Sequence, residues 1–275
     1  MPLNIPGLLV PFQLLLRPRL VLPAISKDIR RLDFQALRDA GYRGAVFDKD
    51  NCLTIPHEDR LVPELQEAWK ECRSTFGHDN VLIVSNSAGT RQDAGAIQAE
   101  SVSYHLSAPV LRHNNLKPGY PCISSIRTYF SSLPRPVKNS ELIVVGDRVF
   151  TDIVMANRMN PKYRLFPPQA RADVKDAGPE GPLAIWTTGV WKKESMFMRW
   201  FEKQLVATIQ KWIVKGPEAE REGWMERFVK PEPVVKIAQE KTGLHYWVTR
   251  RLNPFAKAEP APRKRGRWRR IGVAS

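Results

Sequence analysis

Residues 43–54 read RGAVFDKDNCLT, a short apolar run that ends in two aspartates. The run predicts a strand over residues 43–47. Uninterrupted apolar strands are typical of a parallel sheet that is covered on both faces. Because ligands bind beyond the carboxyl ends of the strands in such sheets, we expect Asp48 and Asp50 to lie at the functional edge.

The rest of the first 190 residues alternates between strand-like and helix-like patterns. Short apolar runs predict further strands over residues 81–84, 102–106, 142–145 and 183–186. Helical spacing of apolar residues and local turn signals predict helices over residues 61–73, 91–100, 118–130 and 151–159. The alternation indicates an α/β fold, a Rossmann-like parallel sheet with helices on both faces.

Polar residues that suit phosphate chemistry follow three more of these elements. Ser85 and Asn86 come after the second strand, where a hydroxyl and backbone N–H groups can bind a phosphoryl oxygen. Lys117 precedes a predicted helix, and its ammonium group can neutralise charge on a transferring phosphoryl group. Asp147 follows the fourth strand and offers the hard oxygen ligand that Mg²⁺ prefers. Taken singly, each of these features is more typical of an ordinary turn.

The pair Asp48 and Asp50 has the spacing to divide a hydrolysis into two steps. One aspartate can attack phosphorus and form an aspartyl-phosphate. The other can protonate the leaving oxygen and then activate water. An isolated Asp-x-Asp is more typical of an acidic surface turn, so the interpretation depends on the three partner motifs.

The order of the four motifs is Asp-x-Asp, Ser, Lys-Pro and Gly-Asp-x4-Asp. This order resembles the haloacid dehalogenase superfamily of phosphohydrolases. The resemblance implies that Asp48 is the nucleophile and a Mg²⁺ ligand, and that Asp50 is the general acid/base with its backbone carbonyl on the metal. It further implies that Ser85 and Lys117 hold the phosphoryl group and that Asp147 completes the metal site.

Asp152, the last residue of the fourth motif, is expected to position its neighbours, with metal ligation as the lesser option. The intervals between Asp48, Ser85 and Lys117 leave no room for a cap domain over the site. Uncapped members of the superfamily commonly self-associate, so the resemblance implies a homo-oligomer.

Three stretches resemble a narrower group, the mitochondrial phosphatidylglycerophosphate phosphatase family of fungi and plants. They are residues 46–54 (VFDKDNCLT), 111–113 (LRH) and 146–158 (GDRVFTDIVMANR). The resemblance implies hydrolysis of phosphatidylglycerophosphate to phosphatidylglycerol and phosphate, in cardiolipin biosynthesis at the matrix side of the mitochondrial inner membrane. One departure is Leu116, which stands where the family usually has a second lysine.

Four residues near the motifs are candidates for binding the rest of the substrate: Asn86, Arg91, Arg112 and Arg148. The guanidinium groups suit the second phosphate of the headgroup, because they can donate two parallel hydrogen bonds to one anion.

Positive charge and tryptophan are concentrated toward the end of the chain. Residues 189–275 hold 20 Lys and Arg against 9 Asp and Glu, a net charge of +11 out of the chain's +15, and six of its eight tryptophans. Such a balance favours an anionic partner, here the surface of an anionic phospholipid membrane. Residues 197–213 have the spacing of an interfacial amphipathic helix, and also of a helix packed on the core or on another subunit.

We therefore divide the chain into three parts. Residues 1–35 form a membrane-associating or core-packing segment, residues 36–190 the phosphatase core, and residues 191–275 a basic, aromatic-rich helical extension. The longest uncharged run, residues 1–16, is shorter than the roughly 18–20 apolar residues of a membrane span, so we expect peripheral association. The three cysteines include no CxxC pair, which disfavours a zinc site.

Two other functional classes stay open on the sequence. A phosphatase with the same fold and Mg²⁺ chemistry could act on a soluble phosphomonoester. Tryptophans among basic residues also suit single-stranded nucleic acid. Since the sequence shows no recognisable RNA-binding motif, no nucleic-acid partner is expected.

Overall fold

The computed structural model describes Gly7 and residues 10–161, 181–213 and 227–230. A five-stranded sheet runs through this part of the chain. Its strands are β1 (Ala24–Ser26), β2 (Gly44–Phe47), β3 (Val81–Ile83), β4 (Leu142–Gly146) and β5 (Leu183–Thr187). Every pairing is parallel, in the order β1-β5-β4-β2-β3. The α/β prediction is therefore confirmed, and β2, which carries the Asp-x-Asp motif at its end, is flanked on both sides.

Seven α-helices accompany the sheet in the described residues. They are α1 (Val10–Leu16), α2 (Phe34–Asp39), α3 (Gln66–Phe76), α4 (Ile97–Leu106), α5 (Tyr120–Ser131), α6 (Val154–Arg158) and α7 (Met196–Ile213). A π-helical turn, Val149–Ile153, leads into α6. None of the helices in the described residues is both long enough and apolar enough to span a bilayer.

Alternate side chains of β2 enter two separate hydrophobic cores. Ala45 and Phe47 lie in one core with side chains of α2, α3 and α4. Val46 lies in the other with side chains of α1, α5, α6 and α7. A strand that is buried on both faces reads as a continuous apolar run, which is why the sequence of β2 predicts its place so directly.

Helix α3 shows how one covering helix is fixed. Its apolar residues Ala68, Trp69, Cys72 and Phe76 recur at helical spacing and are buried. The Trp69 ring meets Phe47 edge to face at 5.1 Å, and its indole N–H donates to the carbonyl oxygen of Leu106 at 2.8 Å. The buried indole is thus both packed and hydrogen-bonded, and it ties α3 to the strand that leads into the site.

The prediction of a strand over residues 102–106 is wrong, because these residues form the second half of α4. Val102 and Leu106 are four residues apart, so a helix brings them onto one buried face as well as a strand does. The chain joins the sheet edge a few residues later, where Ile83 donates to Pro109 O at 2.9 Å and Leu111 donates to Ile83 O at 2.8 Å. The helix predicted over residues 91–100 begins later than expected, at Ile97.

Residues 10–34 contribute to the sheet and to both cores. Strand β1 forms the edge of the sheet beside β5, an element that the sequence did not predict. Val10, Leu20 and Val21 are buried in the second core, which also contains side chains of α5 and α6. Asn157 of α6 donates its side-chain amide to the carbonyls of Leu20 and Leu22, at 2.8 and 3.1 Å. The described part of the N-terminal segment is therefore packed on the core.

Candidate active site

Asp48 follows the central strand β2 and lies at the carboxyl edge of the sheet. Its backbone N–H donates to Val145 O at 2.9 Å, and Val84 donates to Phe47 O at 2.8 Å, so hydrogen bonding to both neighbouring strands continues to this point. The ladder fixes the backbone from which the Asp48 side chain projects. The motif residues that follow β3 and β4 are brought to the same edge.

Lys117 links Asp48 to the fourth motif. The side chain is 2% exposed, and its ammonium group donates to Asp48 Oδ1 at 2.6 Å and to Asp152 Oδ1 at 2.7 Å. Burial disfavours the ammonium charge, but Asp152 and Asp48 outweigh burial and raise the pKa of Lys117. Lys117 is therefore a permanent cation beside the predicted nucleophile.

Three carboxylates gather around this lysine: Asp48, Asp147 and Asp152 offer oxygens that lie within 4.8 Å of one another. Burial and the neighbouring Asp152 carboxylate raise the pKa of Asp48 well above its usual range. The same two causes raise the pKa of Asp147. Crowded, buried carboxylates need cations, and a compact set of hard oxygen donors is what Mg²⁺ prefers. The donor set therefore fits a divalent metal, and both Asp152 oxygens also accept hydrogen bonds, from Lys117 and from the backbone N–H of Arg148.

The fourth motif turns tightly because it contains Gly146. A Cβ atom at this position would lie 2.4 Å from Cβ of Asp152, which is too close for two carbon atoms that are not bonded to each other. The absence of a side chain lets Asp152 fold back over the end of β4. Its Oδ2 then accepts a hydrogen bond from the backbone N–H of Arg148 at 3.2 Å, which closes the turn.

The Asp50 carboxylate is held outside this cluster. Its Oδ1 accepts from Lys49 Nζ at 2.7 Å and from the backbone N–H of His57 at 3.1 Å, and its Oδ2 accepts from Ser87 Oγ at 3.1 Å. The side chain thus has a fixed direction that differs from that of Asp48. Metal contact through the backbone carbonyl of Asp50 stays a prediction.

Ser85 and Asn86 have different structural roles. The Ser85 hydroxyl is buried and lies 2.9 Å from Ser87 Oγ, so a chain of hydrogen bonds runs from Ser85 through Ser87 to Asp50. Asn86 accepts from the backbone N–H of Lys117 at 2.7 Å and donates to the carbonyl of the same residue at 3.4 Å. Asn86 therefore clamps the backbone that carries the lysine, and its predicted contact with substrate is untested.

The three candidate arginines lie in different places. Arg148 is part of the fourth motif, and its Nε lies 3.4 Å from Glu202. Arg112 is exposed and pairs with Glu100 at 3.0 Å. Arg91 is exposed on the loop before α4. Of the three, only Arg148 contacts the carboxylate cluster, through its backbone N–H to Asp152, and its guanidinium group pairs with Glu202 instead, so contact of these arginines with a headgroup stays a prediction.

Sequence reasoning missed two residues that α7 brings to the site. Arg199 donates both to the Asp147 carboxylate and, at 3.4 Å, to the Asp147 carbonyl oxygen. Glu202 is fully buried and accepts from the backbone N–H of Phe150 at 3.3 Å. Because α7 lies about fifty residues after the fourth motif, no local spacing could have associated Arg199 with Asp147. The charged residues on the apolar face of the predicted 197–213 helix were the one available signal.

Lys49 and Ser87 were also missed, although both are next to motif residues. Lys49 stands between the two aspartates and is fully buried. Ser87 is two residues after Ser85. A lysine inside a buried motif suggests a local carboxylate partner, and that signal was present in the sequence.

Comparisons with known proteins match the part of the chain that carries the four motifs. The model of the family described as mitochondrial PGP phosphatase matches residues 5–162. The chain is 33% identical to phosphatidylglycerophosphate phosphatase 1 of Arabidopsis thaliana, over 78% of this chain and 55% of the plant protein. It is 38% identical to a mitochondrial phosphatidylglycerophosphatase of Saccharomyces cerevisiae, over 57% of this chain and 83% of the yeast protein.

A chloroplastic phosphatidylglycerophosphate phosphatase 1 of Chlamydomonas reinhardtii is 43% identical, over 50% of each chain. The match thus spans only about half the length of the plant and algal relatives. No solved structure gives a significant match. The family match includes the residues of all four motifs, from Asp48 to Asp152, and on this ground the chain belongs to the mitochondrial PGP phosphatase family.

Proposed function

We propose that this protein hydrolyses phosphatidylglycerophosphate to phosphatidylglycerol and inorganic phosphate. The observation that carries the proposal is the ion pair between Asp48 and the buried Lys117, inside a cluster of three carboxylates at the end of the central strand. Family membership supports the substrate, since the relatives are named for this lipid. A carboxylate nucleophile, a buried cation and a carboxylate cluster that fits a metal are the groups that phosphoryl transfer requires.

In the first step, a carboxylate oxygen of Asp48 attacks the terminal phosphorus of the lipid. The new P–O bond forms an aspartyl-phosphate while the bond to the glycerol oxygen breaks. Asp50 gives its proton to that glycerol oxygen, so phosphatidylglycerol leaves with a free hydroxyl group where the phosphate was attached. Lys117 stays charged throughout and balances negative charge beside the phosphoryl group.

In the second step, water attacks the phosphorus of the aspartyl-phosphate. Asp50, now ionised, takes the proton from the water, and the bond to Asp48 breaks. The products are inorganic phosphate and the Asp48 carboxylate, with Asp50 protonated again for the next turnover. Lys49, His57 and Ser87 hold the Asp50 side chain in one place for both transfers.

We further propose that Mg²⁺ is the cofactor, held by Asp48 and Asp147 with Asp152 beside them. A bound Mg²⁺ supplies charge neutralisation for the phosphoryl oxygens. Arg199 and Lys117 pair with carboxylates of the same cluster, so the protein itself already compensates part of its negative charge. Arg199 donates to the Asp147 carboxylate, so a metal ion there would share this ligand with a guanidinium group.

The relative from Saccharomyces cerevisiae is named as mitochondrial, and so is the family to which the chain belongs. We propose that this protein works as a peripheral enzyme on the matrix side of the mitochondrial inner membrane, where its partner is the anionic lipid surface. Self-association stays a prediction, and sedimentation of the purified chain would measure it.

The proposal is tested by measuring phosphate release from the purified full chain. Phosphatidylglycerophosphate in mixed micelles should be a far better substrate than glycerol 3-phosphate or nucleoside monophosphates at equal concentration. Excess EDTA should stop the reaction and added Mg²⁺ should restore it. Equal turnover of the lipid and the soluble esters would show that the protein is a general phosphatase. Full activity in excess EDTA would show that the reaction needs no metal ion.

A further inference from the structure

The first two turns of α7 expose more large hydrophobic side chains than any other element in the described residues. The exposed residues are Met196 (51%), Phe197 (76%), Met198 (38%), Trp200 (57%) and Phe201 (39%). Elsewhere in the described chain, the exposed large apolar residues stand apart from one another, which is normal for a protein surface. We call the residues 196–201 the aromatic patch. A contiguous patch of this kind marks an interaction surface.

The aromatic patch belongs to a helix that is firmly attached to the core. Val206 and Ile209, further along α7, are buried in the second hydrophobic core. Glu202 is buried and accepts a hydrogen bond from Phe150 N. The exposed face is therefore an outward side of a packed helix, and its aromatic rings are held in place by the turns that follow.

The aromatic patch is also continuous with the carboxylate site. Arg199, inside the patch, bonds to the Asp147 carboxylate. The Phe201 ring lies 6.1 Å from the ring of Phe150, which is in the turn after Asp147. Phe197 and Trp200 stack on each other at 6.2 Å on the outer side of the helix. The two exposed rings thus lie on the same turns of α7 as Arg199, which contacts the candidate site.

The charges around the aromatic patch show what kind of surface fits it. Lys192 and Lys193 precede the patch and Lys203 follows it, all three exposed. Glu194 pairs with Lys192 at 3.7 Å and offsets that charge, whereas Glu202 is buried and no acidic side chain of the described residues pairs with Lys193 or Lys203. Aromatic and long apolar side chains surrounded by lysines are the composition of an interfacial membrane helix.

We infer that the aromatic patch is the docking surface for an anionic lipid bilayer, with Phe197 and Trp200 inserted at the headgroup boundary and the lysines on the anionic headgroups. The inference rests on the proposed function for its purpose, because docking at this helix sets the carboxylate site against the membrane surface that holds the substrate. A bilayer fits better than a second copy of the chain, since a basic patch on one copy would face the same basic patch on the other in a two-fold interface.

The test measures binding of the full chain to vesicles that contain no phosphomonoester lipid, so its result does not depend on the catalytic function. Vesicles of phosphatidylcholine alone are compared with vesicles that also contain phosphatidylserine. We expect binding to the anionic vesicles only, and weaker binding as salt rises. The Phe197→Ser/Trp200→Ser double variant should partition roughly ten- to a hundredfold more weakly, because two inserted aromatic side chains are lost.

The matched control is Tyr104→Ser, which removes an aromatic side chain that is 81% exposed on α4 and should leave vesicle binding unchanged. Lys192→Glu/Lys193→Glu should lower binding to anionic vesicles and reduce its salt dependence. Thermal unfolding shows that each variant is folded. Wild-type vesicle binding by the folded Phe197/Trp200 double variant would overturn the inference. So would unchanged vesicle binding together with a loss of self-association in light scattering, which would assign the patch to a second copy of the chain.

Discussion

Two buried lysines hold the two predicted catalytic aspartates, and their partners differ in sequence distance. Lys49 contacts Asp50, its neighbour in the chain, and the carbonyl of Glu58, nine residues away. Lys117 contacts Asp48 and Asp152, which are 69 and 35 residues away. The loop around Lys49 is thus organised by its own short segment, whereas the cluster around Lys117 exists only once three parts of the chain have come together.

The two predicted catalytic aspartates are therefore stabilised in different ways. Asp50 is held mainly by Lys49 and His57 of its own loop, with one further hydrogen bond from Ser87 of the second motif. Asp48 is one of three carboxylates whose mutual repulsion is offset by a cation from elsewhere in the chain. Substitutions in the Lys117 cluster should therefore affect stability and activity more strongly than substitutions in the Lys49 loop.

The largest expected effect is that of Asp48→Asn on turnover. The amide has nearly the same shape but is a poor nucleophile, so kcat should fall by at least about 10³-fold. Phosphate release from the lipid in mixed micelles measures the effect. Asp39→Asn, on the exposed end of α2, is the matched control and should keep full activity. A folded Asp48→Asn protein with near wild-type turnover would remove Asp48 from the mechanism.

Lys117→Met should lower both stability and turnover. It leaves Asp48 and Asp152 without their shared partner, and breaking a buried ion pair costs about 3–5 kcal/mol of unfolding free energy. Urea unfolding in EDTA measures the stability, and kcat should fall by roughly 10²-fold or more because charge on the phosphoryl group is no longer balanced. Wild-type stability in this variant would show that the ion pair contributes nothing to folding.

Lys49→Met tests the local loop and should have a smaller effect. Asp50 loses its charged partner and Glu58 O loses its donor, which costs about 1–3 kcal/mol. Turnover should fall about tenfold because Asp50 is less well positioned for proton transfer, while KM changes little. If Lys49→Met lowers kcat as much as Lys117→Met does, the proposed difference between the two regions is wrong.

The pH dependence of stability should separate the two regions further. The folded-state pKa of Asp48 is raised above its unfolded value, so the stability that its protonated form contributes is present below the usual aspartate pKa near 3.8 and is lost as pH rises through the folded pKa. In EDTA, Asp48→Asn should therefore gain stability relative to wild type as pH rises from about 4 toward neutrality. Urea unfolding of both proteins across that range measures the difference, and a constant difference would contradict the raised pKa.

The smallest effect is expected for Arg199→Gln on metal affinity. Arg199 donates to the Asp147 carboxylate, so a metal ion must share that ligand with a guanidinium group. Removing the charge should tighten Mg²⁺ binding by about three- to tenfold, the size of one partly screened ion pair. Isothermal titration calorimetry without substrate measures it. Lys203→Gln on the same helix is the control, and weaker binding in Arg199→Gln would mean that Arg199 serves chiefly to orient Asp147.

Much of the fold follows from local patterns that a single sequence displays. The apolar run before Asp48 predicts a strand that is buried on both faces of a parallel sheet. Strands β2, β3, β4 and β5 all lie where such runs predict them. The error over residues 102–106 arose because Val102 and Leu106 share a face in a helix and in a strand alike. Only the neighbouring chain decides between the two, and here Pro109 and Leu111 supply the edge pairing to Ile83.

For this protein, the sequence by itself determined the α/β architecture, the four motifs and the family. These features depend on periodicity and on residues that are close in the chain. The tertiary structure decided that Asp152 shares Lys117 with Asp48, that Arg199 of α7 meets Asp147, and that the aromatic patch borders the carboxylate site. Such contacts join residues tens of positions apart, and their positions depend on how the helices pack on the sheet, which no local spacing records.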